Sequence, residues 1–166
     1  MSGTAVFSHG KESGPWGSKI TAMAEVARSL GMAVESVDYR GIDDPAARVE
    51  KLVAAAAKLS GPKVLVGSSM GGHVSAAAAP RVAPLGLFLL APAFYMPGFE
   101  EYTPREVNCP ACIVHGWGDA IVPVASSIRW AGEQRAQLHI LDSDHRLTDQ
   151  IDPICRLLKD FLTALP

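Results

Sequence analysis

Lys63-Val64-Leu65-Val66-Gly67-Ser68-Ser69-Met70-Gly71-Gly72 is the stretch on which the reading of this chain turns. Its first half is a short, unbroken apolar run, as expected of a parallel strand buried on both faces. Its second half is Gly-x-Ser-x-Gly, and small residues follow it directly over 71–79. A strand that becomes a helix at once must bend sharply. The bend pushes Ser69 towards strained backbone angles, and Gly67 and Gly71 leave the room it needs. Gly72 lets the new helix lie close to the sheet. The helix start beneath Ser69 offers free N–H groups and the positive end of a dipole. A serine displayed in this way is a nucleophile elbow, and the Met70 N–H is placed to meet the oxyanion that forms when Ser69 attacks a carbonyl.

On either side of this stretch, short apolar strands alternate with amphipathic helices. That is the pattern of a parallel sheet covered on both faces. Strands are expected at Thr4–Ser8, 32–38, 63–67, 85–91, 111–115 and Gln137–Leu141, and helices at 17–30, from 45 to near Gly61-Pro62, and at 71–79, 124–131 and 153–162. Gly31 stops the first helix, with Ile20, Met23, Ala27 and Leu30 as its apolar stripe. Asp44 caps the second helix and Pro45 takes its first position. The second helix buries Val49, Leu52, Val53 and Ala56. Residues 92–110 hold four prolines and no period, and read as a long loop of the kind that is usually functional.

Composition excludes several classes. A length of 166 residues suits one domain, read as residues 1–166. The formal charge of −2 argues against a nucleic-acid binder, which carries a basic stripe. No apolar run is long enough to span a bilayer, and the first residues lack a secretory pattern. Three cysteines do not make a disulfide framework, so a reducing cytoplasm is the expected compartment. No metal or cofactor is expected. The expected partner is a small-molecule acyl substrate, with the oligomeric state left open.

Ligands of parallel α/β sheets bind at the carboxyl ends of the strands, so the residue after each strand matters most. A hydroxyl is a poor nucleophile until a base takes its proton. The base should be a histidine held by a carboxylate, in the chain order Ser, Asp, His. Asp119 follows the fifth strand in His115-Gly116-Trp117-Gly118-Asp119, and His145 follows the sixth in Asp142-Ser143-Asp144-His145. Both reach the edge that holds Ser69. In this assignment Asp119 fixes the imidazole of His145, which accepts and later returns the proton. Asp142 and Asp144 are rival acids; Asp144 is too close in sequence to align well with the ring. His9 and His115 each precede a glycine and read as loop-shaping residues. His73 lies one turn into the elbow helix, and His139 lies within a strand. A second oxyanion donor is expected from the loop after the first strand, with the Lys11 N–H as candidate.

Phe7-Ser8-His9-Gly10-Lys11, Asp38-Tyr39-Arg40-Gly41, the elbow, the acid segment ending Ala120-Ile121-Val122-Pro123 and Ser143-Asp144-His145-Arg146-Leu147 occur in this order along nearly the whole chain. With them the sequence resembles the α/β-hydrolase superfamily, and within it the short bacterial members related to small carboxylesterases and acyl-thioester hydrolases. The resemblance implies Ser69 as nucleophile, Asp119 as acid, His145 as base, and Met70 and Lys11 as oxyanion donors. It implies a three-layer α/β/α sandwich of about six parallel strands in the order 2-1-3-4-5-6. The chain departs from larger members in two ways. Their first two antiparallel strands have no counterpart before Thr4, and no cap domain follows the fourth strand. The second departure argues against long-chain lipase activity and interfacial activation.

Trp16, Phe94, Tyr95, Met96, Trp117 and Leu147 fall in or beside loops at the same edge and are candidate walls of an acyl pocket. The expected reaction is hydrolysis of a small or medium, uncharged acyl ester or thioester. The alternative is a non-catalytic receptor or interaction protein on the same fold. A third reading, a redox or zinc site at Cys109-Pro110-Ala111-Cys112, fits poorly. A redox pair normally opens a helix, and this one enters a strand.

Overall fold

The computed structural model describes residues 2–166. Strands β1 (Thr4–Ser8), β2 (Ala33–Val37), β3 (Lys63–Ser68), β4 (Gly86–Leu90), β5 (Ala111–Gly116) and β6 (Gln137–Leu141) alternate with helices. The helices are α1 (Ser18–Ser29), α2 (Pro45–Ala57), α3 (Met70–Val82), α4 (Val124–Gln134) and α5 (Ile151–Ala164). One six-stranded sheet has the order β2-β1-β3-β4-β5-β6, with every neighbouring pair parallel. The expected sandwich, strand order and absence of a cap therefore hold.

Successive side chains of a strand point to opposite faces, and this divides the core in two. Ala5, Phe7, Val64, Val66, Phe88, Leu90 and Val114 pack against α1 and α5, through Met23, Ala27, Leu158 and Phe161. Val6, Leu65, Leu87, Leu89 and Ile113 pack against α2, α3 and α4, through Leu52, Val74 and Trp130. The registers Ser8↔Gly67, Ser68↔Leu90 and Gly116↔Leu141 bring the carboxyl ends of the strands to one edge.

Most boundaries differ from expectation by a residue or two, as helix and strand ends do. α2 ends at Ala57, short of Gly61-Pro62, and α4 runs three residues past Ala131, to Gln134. Two other helices differ for a reason. α3 does not stop at Ala79 but runs through the exposed Pro80 to Val82, closing on left-handed Ala83 (φ 50°). α5 begins two residues before Pro153, which occupies the first turn, where no N–H is needed. The 92–110 segment carries one short 3-10 turn, Glu100–Tyr102. In α2 the expected stripe needs correction. Leu52 and Ala56 are buried, but so is Arg48, while Val49 and Val53 are only half-buried.

Candidate active site

The elbow is as tight as its glycines require. Ser69 sits at φ 55°, ψ −118°, a strained region for a residue with a Cβ. Its N–H donates to the Leu90 carbonyl at 2.9 Å, and its carbonyl accepts from Gly72 and Ala93, both at 3.0 Å. A Cβ on Gly71 would stand 2.0 Å from the Ser8 oxygen, and one on Gly67 would stand 2.3 Å from the Gly71 oxygen. The first turn of α3 is thus pressed against the end of β1, and no side chain could separate them.

Asp119 and His145 come from the two strand ends at the opposite side of the sheet. Their loops are joined by Gly118 N–H donating to the Ser143 carbonyl at 2.9 Å. At Gly116 a Cβ would meet that same carbonyl oxygen at 2.4 Å. His145 then bridges the site: its Nε2 lies 3.0 Å from Ser69 Oγ and its Nδ1 lies 2.6 Å from Asp119 Oδ2. The other carboxylate oxygen, Oδ1, accepts from the Ile121 and Val122 amides, both at 2.8 Å. The Asp119 side chain has no exposed surface. Burial alone would raise its pKa, but the bonds from His145, Val122 and Ile121 outweigh burial and hold it below the ordinary carboxylate value. Asp144, the rival acid, accepts from the Arg146 and Leu147 amides through Oδ1, and Asp142 is exposed.

Two buried side chains that the sequence reading did not assign to the site support it. His115 has no exposed surface and does more than shape a loop. Its Nδ1 accepts from the Ser127 hydroxyl at 2.6 Å. Its Nε2–H is shared between the Val122 carbonyl, at 2.9 Å, and Asp119 Oδ2, at 3.0 Å. The carboxylate is therefore held between two imidazoles and two amides. Spacing was the available signal, since His115 stands four residues before Asp119. The second is Arg48. Its guanidinium donates to the Ile42 carbonyl at 2.7 Å and to the His9 and Gly10 carbonyls, both at 3.2 Å. It lies 5.2 Å from the Tyr39 ring centroid, and His9 Nε2 accepts from the Tyr39 amide at 2.8 Å. The loop that presents the Lys11 N–H is braced by these contacts. Neither the Lys11 nor the Met70 N–H meets an acceptor among the described residues. Nothing in an amphipathic pattern marks an arginine that will turn inward.

Ser69, His145, Lys11 and Met70 line an open groove of about 1570 Å³. Of the six proposed pocket walls, only Met96 lines it. Phe94 is buried, stacked on Trp130 at 4.7 Å between ring centroids. Tyr95 is buried too, its hydroxyl bonded to Glu133 and its ring covered by Arg129. Leu147 adopts left-handed angles (φ 58°) and drops into the core. Trp16 and Trp117 are exposed outside the groove. The actual walls include His73, Ala77, Phe99 and Tyr102, on α3 and the 92–110 segment. Burial lowers the pKa of His73. Cys109 and Cys112 are free thiols. Burial raises the pKa of both, Cys112 to about 12, which disfavours the thiolate.

This sheet order, with a strained serine at its carboxyl edge and an imidazole and carboxylate in series behind it, defines a hydrolytic α/β enzyme without a cap. The chain belongs to the Alpha/beta hydrolase family, whose profile matches residues 5–165. An alpha/beta-superfamily protein from Xanthomonas campestris pv. campestris, XCC1541, is 33% identical and superposes with a TM-score of 0.90, over 98% of this chain and 99% of that one. Est1E from Butyrivibrio proteoclasticus shares the fold at 18% identity, with a TM-score of 0.82 over 96% of this chain and 86% of that one. XC6422 from Xanthomonas campestris, an α/β serine hydrolase without a lid, shares it at 21% identity, with a TM-score of 0.81 over 99% and 83%. A comparison with curated proteins found no match.

Proposed function

We propose that this chain hydrolyses carboxylic esters or thioesters of small to medium acyl groups through an acyl-enzyme on Ser69. The observation that carries this reading is the position of His145, within hydrogen-bond reach of Ser69 Oγ at 3.0 Å and of Asp119 Oδ2 at 2.6 Å. In the proposed reaction the Ser69 proton passes to His145 Nε2 as Oγ bonds to the carbonyl carbon. The carbonyl π pair moves onto oxygen, where the Met70 and Lys11 N–H groups receive it. Collapse of this intermediate breaks the bond to the alcohol or thiol, which takes the proton from His145. Water then gives a proton to His145 and attacks the acyl carbon, releasing the acid and restoring Ser69. Asp119 stabilises the imidazolium at both stages and fixes its tautomer.

A fluorophosphonate should add covalently to Ser69, as read by intact mass and peptide mapping. Ser69→Ala should abolish both the adduct and the hydrolysis of p-nitrophenyl acetate. An adduct that persists in Ser69→Ala would overturn the assignment. Est1E has been seen with ferulic acid bound, so feruloyl esters join the short acyl esters and acyl-CoA thioesters in the first substrate panel.

A further inference from the structure

We propose that Lys19 binds a carboxylate carried by the substrate a few bonds from the scissile carbonyl; this deepens the serine-hydrolase reading, rests on it, and replaces the uncharged substrate expected from the sequence. Lys19 stands in the first turn of α1 and lines the groove together with Ser68, the immediate neighbour of the nucleophile. Its ammonium donates to Ser68 Oγ at 3.4 Å, a long bond to a neutral partner. Among the described residues no carboxylate lies within 4.0 Å of it.

A half-buried ammonium has three donors to satisfy, and burial without a counter-ion is costly. Desolvation lowers the pKa of Lys19 and the neighbouring Arg146 charge adds to this, while the charges of Asp144 and Asp119 offset it only in part. Both of those carboxylates are engaged elsewhere. Asp144 accepts two backbone amides, and Asp119 is bonded to His145 and to the amides of Ile121 and Val122. The other acidic residues on the groove are Glu12, Asp43, Asp44 and Glu50, none of them paired with Lys19; Asp44 caps α2 and Glu50 pairs with Arg81. The cation beside the nucleophile thus faces the groove without a protein anion of its own. Lys19, Ser68 and Ser69 line the same groove, so an anchor at Ser68 is open to a substrate whose ester sits on Ser69. An ester carboxylate fits this place, whether it lies on the acyl side, as in a dicarboxylic monoester, or on the leaving group, as in an ester of a hydroxy acid.

Two substrate pairs separate these sources. Monomethyl adipate against dimethyl adipate places the charge on the acyl side; 4-acetoxybenzoate against its methyl ester places it on the leaving group. Hydrolysis followed by pH-stat at low ionic strength should favour the free carboxylate about tenfold in kcat/KM in at least one pair. That preference should shrink as sodium chloride is added. Lys19→Met should reduce the carboxylate member about tenfold more than its neutral twin, and Lys19→Arg should restore part of the difference. The neutral twin reports any general loss of folding. Preference for the neutral member in both pairs, or equal loss of both members in Lys19→Met, would overturn the proposal. Absence of turnover on every ester counts against the reaction instead. In that case calorimetry of Ser69→Ala with 4-acetamidobenzoate and its methyl ester still decides, because the carboxylate must bind more tightly and lose that advantage in Ser69→Ala/Lys19→Met.

Discussion

His115 shows how far the chemistry of one residue depends on its neighbours. Its ring spans from Ser127 to Asp119 and has no contact with solvent, so its donor can serve only the carboxylate and the Val122 carbonyl. Under the proposed mechanism His115 is a positioning residue: it fixes the oxygen that fixes His145. Asparagine at this place can reproduce the Nδ1 side of the ring and glutamine the Nε2 side. His115→Gln should therefore retain more activity than His115→Asn, although both are polar and of similar bulk. A displacement of about 1 Å at a reacting group can cost a hundredfold. His115→Asn should accordingly lower kcat by about ten- to a hundredfold, with KM changed less than about twofold. Steady-state kinetics at temperatures well below each variant's melting point check this. Equal losses in both variants, or a fall confined to KM, would contradict the role. The sequence placed His115 beside a glycine at a strand end and suggested a loop-shaping part. Which atom its ring addresses depends on the path of α4, through Ser127, and this lies outside any local pattern.

At the scale of elements, the elbow and the exposed helices respond to opposite rules. Gly71 is fixed by backbone, because a Cβ would overlap the Ser8 carbonyl at 2.0 Å and the His9 carbonyl at 2.7 Å. Neither atom can move without shifting β1 and the loop that carries Lys11. Gly71→Ala should cost at least about 3 kcal/mol, at the upper end for point substitutions. Gly132, in α4, has nothing within 4 Å of its Cβ position. There, Gly132→Ala should stabilise by about 0.5–1 kcal/mol, because alanine favours the helix and narrows the unfolded ensemble. Urea unfolding of the two variants beside the parent checks both signs. The elements themselves were legible because their periods and stop signals agree: Pro45 after Asp44, Gly31 after α1, Gly67 and Gly71 around the serine. Residues 92–110 were legible only as a functional loop. Its aromatic residues divide between core and groove according to partners that lie far away, Trp130 and Glu133 for Phe94 and Tyr95. No local pattern separates them from Phe99 and Tyr102, which do line the groove.

For the whole molecule, the strand order was legible only through the family resemblance that the motifs carry, and the parallel sheet brings Ser69, Asp119 and His145 to one edge. The shape of the groove is what remained hidden, since it is the space left after the loops have packed. That shape has a consequence for kinetics. Only the 92–110 segment lies between β4 and β5, and Ser69 opens directly into the groove with no cap to displace. An enzyme that needs no opening step gains nothing from a lipid surface. With p-nitrophenyl esters, the rate should rise hyperbolically with substrate concentration and show no jump where the substrate begins to form micelles. Each methylene that reaches the apolar wall formed by Met70, Ala77, Met96 and Phe99 buries enough surface for up to about 0.8 kcal/mol, or roughly fourfold in kcat/KM. The series from acetate upward should therefore climb over the first few carbons and then level, once the chain passes the open end of the groove. A sigmoidal jump at the micellar concentration, with little activity below it, would mean that some segment closes over Ser69 and must first be moved. The 92–110 segment, whose short turn carries exposed Tyr102 beside exposed Phe99, would then be the one to immobilise and test.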